Sequence, residues 1–439
     1  MFKQLSLFPE NIEGEKKQFQ ANIQKSGFNY EEIDIGDITF KAGQIEPIHR
    51  WYRLTPSYSP DLVKFLIQKL KITEKDYVLD PFSGRGTTSI QCQKQGIKSL
   101  GIEINPLLQQ VGQKSLIWER ENLNLLDDYL LEIYSIINEF KTLSLGSIIN
   151  QFNTNIPIIH NVFRWWKQDV LKELIICREV MLKQKYSLVK NYLWIALTEA
   201  CLNCANIHRN HPTITFDDNH NRKINVFEEI SQRLEIIKTD LINLDCQIKS
   251  FSELGEIKLG NSTKNLQHQI SRPINFVITS PPYPNRYSYV HQTRPQLHFM
   301  EVLDNIKQAT EIDLQAIGGT WGKATSILQK QLIEVPHEIL PYLSYYEELR
   351  DKSILMCNYA TKYFIDMWKH IKSLKIVKAD KFKGVYVVGN SRLSGVEIFT
   401  ECILGKLFRQ EGFDVEKIVS FRKRGGKKRL YETAIFIKT

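Results

Sequence analysis

No stretch of this 439-residue chain stays apolar long enough to cross a bilayer, and its N-terminus carries no secretory pattern, so neither a membrane protein nor a secreted one is expected. Cysteine is sparse. Seven are scattered along the chain, an odd number that argues against a disulfide framework and fits a reducing cytoplasm. There is no internal repeat and no low-complexity tract. Charge of one sign does not dominate: 58 Lys+Arg against 49 Asp+Glu leave a net +9. That excess favours a polyanionic partner without establishing one, since a basic surface can also simply be solvated. The apolar share, 42%, is that of an ordinary soluble protein, and the length allows two or three domains with a large core.

What is there divides into four parts. Residues 1–45 read as an arm with little periodicity. Residues 46–110 read as α/β: Leu62, Phe65, Leu66 and Leu70 have helical spacing, 77–80 is a short strand, 87–95 a helix and 99–103 a second strand. Residues 111–250 are almost all helix by their long apolar-periodic runs. The part 251–439 returns to α/β, with strands at 256–259, 274–279 and 384–389. Two further strands, 415–422 and 430–438, are joined by a Gly425-Gly426 turn, a hairpin signal.

Two segments carry chemistry. In the first, Asp80-Pro81-Phe82-Ser83-Gly84-Arg85-Gly86-Thr87-Thr88 joins a strand to a helix, and Gly84 and Gly86 let a ligand approach the backbone closely. Glu103 closes the next strand, where a carboxylate can accept from ribose hydroxyls. A dinucleotide fingerprint is incomplete, because position 89, where its third glycine belongs, is Ser89. In the second, the apolar strand 274–278 runs into Thr279-Ser280-Pro281-Pro282-Tyr283. The prolines fix φ and cannot continue a sheet, yet their carbonyls still accept. A hydroxyl, rigid acceptors and an aromatic ring at one spot suit a planar base that bears an amino group.

Together these segments resemble the motifs of the DNA amino-methyltransferases, in the Ser-Pro-Pro-Tyr form typical of enzymes that methylate the exocyclic amine of cytosine. The resemblance covers roughly 46–110 and 250–439. It implies an α/β, Rossmann-like seven-stranded methyltransferase sheet with a terminal β-hairpin and a large helical insertion. It also implies S-adenosylmethionine as cofactor, with Asp80, Pro81, Phe82, Ser83, Gly84, Gly86 and Thr87 around its methionyl part and Glu103 on its ribose. Tyr58 and Ser59 match the element that closes over the methionine carboxylate, although Ser59 capping the helix after it explains that residue as well. Asn261 and Ser262 match the adenine contact; an ordinary turn is the other reading.

By the same resemblance, Ser280 Oγ and the Pro281 carbonyl accept the two amine N–H bonds, Pro282 stiffens the turn, and Tyr283 stacks on a base flipped from the duplex. Transfer is then a direct displacement governed by proximity and alignment. Methylation at ring carbon uses a Cys nucleophile in a Pro-Cys pair, and none of the 15 prolines precedes a cysteine. In Asn285-Arg286-Tyr287-Ser288-Tyr289, Ser288 stands where such enzymes often have Asp, so no acidic role carries over; Arg286 can reach a phosphate and Tyr287 can stack or pack. Asn390 to Arg392 would lie near the target base or form a surface turn. Arg422, Lys423, Arg424, Lys427, Lys428 and Arg429 place six cations on the terminal hairpin, for DNA phosphates or a solvated tip.

The order, cofactor turn first and base motif second, implies that 111–250 is the DNA-recognition region. Cys201-x-x-Cys204 with His208 and His211 has a Cys–His gap too short for a zinc finger, and no metal is expected. Gln4-Leu5-Ser6-Leu7-Phe8 resembles the peptide that bacterial proteins dock on the sliding clamp, or is a strand packing on its own domain. The expectation is a site-specific N4-cytosine methyltransferase acting on double-stranded DNA, in restriction–modification or phage defence, in the cytoplasm at a bacterial or archaeal nucleoid. Any cutting partner, a restriction endonuclease, would be a separate chain. N6-adenine methylation by the same fold, RNA methylation and an inactive DNA-binding protein are the alternatives.

Overall fold

The computed structural model describes residues 9–36, 41, 43, 45–55, 57–208, 213–218, 222–244, 254–264, 266–319, 322–424 and 430–439. These form ten strands: β1 (Tyr30–Glu32), β2 (Tyr77–Asp80), β3 (Lys98–Glu103), β4 (Gly255–Leu259), β5 (Ile274–Thr279), β6 (Lys378–Gly389), β7 (Ser391–Leu393), β8 (Val396–Ile398), β9 (Asp414–Arg424) and β10 (Leu430–Lys438). Helices connect them, and the fold is α/β. Two units share the chain. One comprises Asp37–Gly260 and Ser288–Ala316; the other comprises Met1–Gly36, Asn261–Tyr287 and Ile317–Thr439.

In the unit built on Asp37–Gly260, β2, β3 and β4 run parallel in that order. Val78, Leu79, Leu100 and Ile102 are all buried, as consecutive apolar residues must be in a strand covered on both faces. Parallel neighbours need long crossovers. The crossover from β3 to β4 holds the whole helical block, from Pro106–Ser115 to Val226–Asn243. The segments 46–110 and 111–250 therefore lie in one unit, and they share one core: Ile90, Leu107 and Ile257 belong to the same apolar cluster as Trp165, Leu174 and Leu197. The helix Ser187–Asn203 is buried through most of its length, as its nearly uniform hydrophobicity requires.

Two buried carboxylates tie this block to the chain ahead of β2. Asp240 accepts from Ile48 N at 2.9 Å, Arg50 Nη2 at 2.5 Å and Trp51 Nε1 at 2.9 Å. Glu199 accepts from Arg53 N at 3.1 Å and pairs with Arg233 at 3.6 Å. Cys201 and Cys204 are fully buried at the end of Ser187–Asn203, and the Cys201 carbonyl accepts from Trp166 Nε1 at 2.9 Å. His211 lies outside the described residues. Among the described residues no helix is long and apolar enough to cross a membrane.

In the other unit the strand order is β1-β9-β10-β6-β5. β1/β9 and β5/β6 are parallel, while β9/β10 and β10/β6 are antiparallel. β7 and β8 form a separate antiparallel ribbon. The sheet strands of the two units thus number eight, where seven are expected. The addition is β1, inside the segment read as an unpatterned arm. That arm also forms a helix, Pro9–Lys25. Among its described side chains the buried apolar pair is Phe19 and Ile23, one turn apart, which is too short a pattern for periodicity to reveal. Tertiary contacts supply the rest: Phe19 stacks on Tyr431 with ring centres 4.0 Å apart, and Glu15 accepts from Lys423 at 2.6 Å. Gln4 to Phe8, and the hairpin tip with Gly425, Gly426, Lys427, Lys428 and Arg429, lie outside the described residues.

Candidate active site

The cofactor turn is built from β2 outward. Asp80, 1% exposed, ends the strand. Its Oδ1 accepts from Phe82 N at 3.1 Å, and its Oδ2 accepts from Thr88 Oγ1 at 2.5 Å and Tyr58 OH at 3.3 Å. Asp80 thus shapes the turn from within. Tyr58 also touches Thr88 Oγ1, and burial pushes its phenol well above the usual range. The turn closes on itself through Gly86 N to Ser83 O at 2.8 Å, and it binds β3 through Ser83 N to Ile102 O at 3.0 Å.

Gly84 and Gly86 both have positive φ, 53° and 88°. A Cβ at Gly86 would lie 2.7 Å from Ile257 Cδ1 and 3.4 Å from the Gly112 backbone, so the turn leaves no room for a side chain at this position. Thr87 and Thr88 are buried and open the helix Thr87–Lys94. Arg85 turns inward and donates to the carbonyls of His49 and Tyr52. Burial lowers its guanidinium to about 10, and the Glu199 carboxylate opposes that shift. Neither Gly112 nor this buried arginine is signalled by sequence pattern.

Glu103 sits at the end of β3. Its Oε2 accepts from Gly84 N at 2.7 Å and its Oε1 from Asn105 N at 2.8 Å. Burial pushes the carboxyl up to about 7, against the pull of those two N–H donors. Ser59 caps the helix Pro60–Leu70 by accepting from Asp61 N at 3.2 Å, so its capping role is real. In the other unit, Asn261 Oδ1 accepts from Thr263 N at 2.9 Å, while its Nδ2 is buried with no hydrogen-bond partner. Ser262 is buried beside it. In the cofactor turn, Ser83 Oγ is a second buried group with no partner.

The base motif leaves β5 at Thr279, which is fully buried. Ser280, Pro282 and Tyr283 are half-buried and Pro281 is buried. The turn is drawn tight by Asn285 N to Tyr283 O at 2.7 Å and by Arg286 N to Tyr359 OH at 2.8 Å. Arg286 takes φ 61°, a left-handed conformation uncommon for a side chain of its size, and a Cβ added at Gly318 would lie 3.8 Å from Pro282 Cβ and from the Tyr283 carbonyl oxygen. The Tyr283 hydroxyl donates to Glu432 Oε1 at 3.3 Å. The Arg286 side chain is exposed, and Tyr287 N is held by Asn285 Oδ1 at 3.2 Å. Ser288, in the unit that includes Ser288–Ala316, caps Tyr289–Phe299 and donates to Asp313 Oδ1 at 2.5 Å.

The hairpin cations that are described have partners within the protein. Arg422 pairs with Glu432 at 2.6 Å and Lys423 with Glu15 at 2.6 Å. Arg424 donates to Asn390 O at 2.5 Å. Asn390 is buried and its Oδ1 takes Tyr431 N at 2.6 Å; Ser391 is buried in β7, so the segment is not a surface turn. Only Arg392 is exposed there, bonded to Gly395 O at 3.1 Å. Sequence reasoning missed Glu432, Asn390 as a backbone holder, and the inward turn of Arg424, because each depends on a partner far along the chain.

Residues 29–114, which include the cofactor turn and Glu103, match the family model described as DNA methylase. Curated relatives align along nearly the whole chain. Type II methyltransferase M.AvaI of Nostoc sp. is 25% identical over 94% of this chain and 88% of its own length. M.BsoBI of Geobacillus stearothermophilus is 23% identical over 95% and 87%. M.MvaI of Kocuria varians is 21% identical over 88% and 86%. With the Asp80–Gly86 turn inside the matched region and type II methyltransferases aligned over 88% to 95% of the chain, the chain is similar to the DNA amino-methyltransferases.

Proposed function

We propose that this protein transfers a methyl group from S-adenosylmethionine to the N4 amine of cytosine within a specific sequence of double-stranded DNA, as the modification enzyme of a restriction–modification system. The observation that carries the reading is Ser280-Pro281-Pro282-Tyr283 at the end of β5: a half-buried hydroxyl, a proline carbonyl and an aromatic ring on one proline-stiffened turn. The end-to-end likeness to type II methyltransferases supports it. A restriction endonuclease would be a separate chain.

The residues present fit the cofactor. Ser83 Oγ and Asn261 Nδ2 are buried groups left without partners, and Glu103 is a buried carboxyl suited to hydroxyl donors. S-adenosylmethionine, when bound, supplies an electrophilic sulfonium methyl. Glu103 would accept from its ribose, while Asp80 keeps the turn 81–86 in shape around the methionyl part, with Tyr58 and Ser59 alongside. Ser280 Oγ and the Pro281 carbonyl would accept from the amine N–H bonds of the base, drawing the nitrogen lone pair out of the ring. Tyr283 would stack on the flipped base, and Arg286 and Arg392, both exposed, would contact the DNA backbone.

Single-molecule sequencing of DNA from cells expressing the protein tests the reading. N4-methylcytosine in one sequence context is the expected result. Modified adenine alone would overturn the choice of base, and no modification by purified protein that binds cofactor would overturn the activity.

A second measurement concerns Glu103. Its carboxyl is raised to about 7, so the folded protein holds this proton more tightly than the unfolded chain does. Its contribution to stability is therefore full at low pH and falls as pH rises through about 7. Ribose hydroxyls favour the ionised form, so cofactor binding runs the other way. Affinity by calorimetry should be about tenfold weaker at pH 6 than at pH 8. Glu103→Gln should bind weakly with a flat profile; an unchanged profile in that variant would remove Glu103 from the site.

A further inference from the structure

Arg424, the last residue of β9, does not project from the hairpin. Its guanidinium carbon lies 4.8 Å from the centre of the Tyr283 ring. Its Nη2 donates to Asn390 O at 2.5 Å and its Nε to Tyr431 O at 3.1 Å. The approach depends on Gly389, the last residue of β6, where any Cβ would collide with the guanidinium. Glycine within a strand commonly marks such a close approach. The same ring is held at its other end. The Tyr283 hydroxyl donates to Glu432 Oε1 at 3.3 Å, and Glu432 Oε2 takes Arg422 Nε at 2.6 Å. Glu432 is 4% exposed, so this carboxylate is committed to the phenol and the guanidinium rather than to water. A second acid, Glu401, is fully buried. Burial pushes its carboxyl up to about 7, against the pull of its own backbone N–H and of the Arg424 charge.

We infer that Arg424 and Glu432 are positioning residues that fix the plane of the Tyr283 ring for stacking on the target base, and that Arg424 is not a phosphate contact. The inference rests on the stacking role given to Tyr283 above. A cation over one ring face and an acceptor at the hydroxyl leave the ring little freedom to rock. A platform ordered in advance loses less entropy when a base lands on it than a free one would. Gly389 is what leaves room for the guanidinium at that position.

Arg424→Lys and Arg424→Ala separate the two readings. Lysine keeps the charge but loses the planar fork that stacks and donates twice. For a positioning residue, both variants lower kcat on plasmid DNA by about tenfold to a hundredfold. KM for S-adenosylmethionine and the salt dependence of DNA binding stay as in the parent. For a phosphate contact, Arg424→Lys keeps kcat, and Arg424→Ala reduces the slope of log Kd against log salt by about one; that pattern overturns the inference. The ring is also read without DNA. In protein labelled with 3-fluorotyrosine, the fluorine line of Tyr283, identified by its loss in Tyr283→Phe, should move in both Arg424 variants and in Glu432→Gln. An unmoved line overturns the inference whatever the substrate proves to be. A moved line in a protein that leaves DNA unmethylated would overturn the proposed function and leave the ring-holding role standing.

Discussion

Ser280→Ala should lower turnover by about 10²- to 10³-fold while the affinity for S-adenosylmethionine stays that of the parent. The size follows from what the amine demands. Its lone pair is delocalised into the ring, and an acceptor fixed on one N–H favours the pyramidal nitrogen that attacks. The separation of effects follows from the structure. The Ser280 hydroxyl is half-buried and makes no hydrogen bond to another described residue, so its loss removes no contact that holds the fold. Tritium transfer from labelled cofactor to plasmid DNA reads the first quantity and calorimetry the second. A well-folded Ser280→Ala protein that no longer binds cofactor, or one that turns over normally, would contradict the division of roles between the Ser280 turn and the Asp80 turn.

Asp240→Ala should have the largest effect on stability, about 3–5 kcal/mol. Asp240 is 2% exposed and receives the Ile48 N–H, the Arg50 guanidinium and the Trp51 indole N–H. Ile48 and Trp51 are 1% and 0% exposed, so water cannot replace the lost acceptor for either of them. Ile48 also holds φ 70°, which a β-branched residue adopts only when its surroundings enforce it. Alanine leaves two buried donors unpaired and releases that constraint. Urea unfolding followed by circular dichroism gives the number, and Asp240→Asn should retain part of the lost stability. A loss below about 1 kcal/mol would show that the 48–51 segment is held by packing alone.

What was legible in the sequence followed short-range rules. The apolar runs of β2, β3 and β5, the glycine-bearing turn at 84–86 and the apolar-periodic block after residue 111 all appear where local pattern puts them. Ser59 reads as a cap and is one. What was not legible depends on partners outside any local window, from 10 residues away for Arg422 and Glu432 to 408 for Lys423 and Glu15. β1 is three residues long and pairs with β9 across almost the whole chain, so nothing near Tyr30 announces it. The six hairpin cations read as one exposed patch because Glu15 and Glu432, the acids that engage Lys423 and Arg422, are invisible to local composition. Asn390 looked like a turn residue for the same reason; its neighbour Tyr431 is 41 positions away.

Arg85 has a consequence for exchanging parts between enzymes of this kind. It belongs to the cofactor turn, where burial works against its charge and the Glu199 carboxylate favours it; Glu199 lies in the helical block, accepts from the Arg53 backbone N–H and pairs with Arg233. A chimera that keeps residues 46–110 and imports another helical block would bring a full positive charge into an interior with no matching carboxylate. Swapping the block to alter sequence preference is therefore not a modular operation. Arg85, Glu199 and Arg233 must travel together, or Arg85 must be replaced along with the graft.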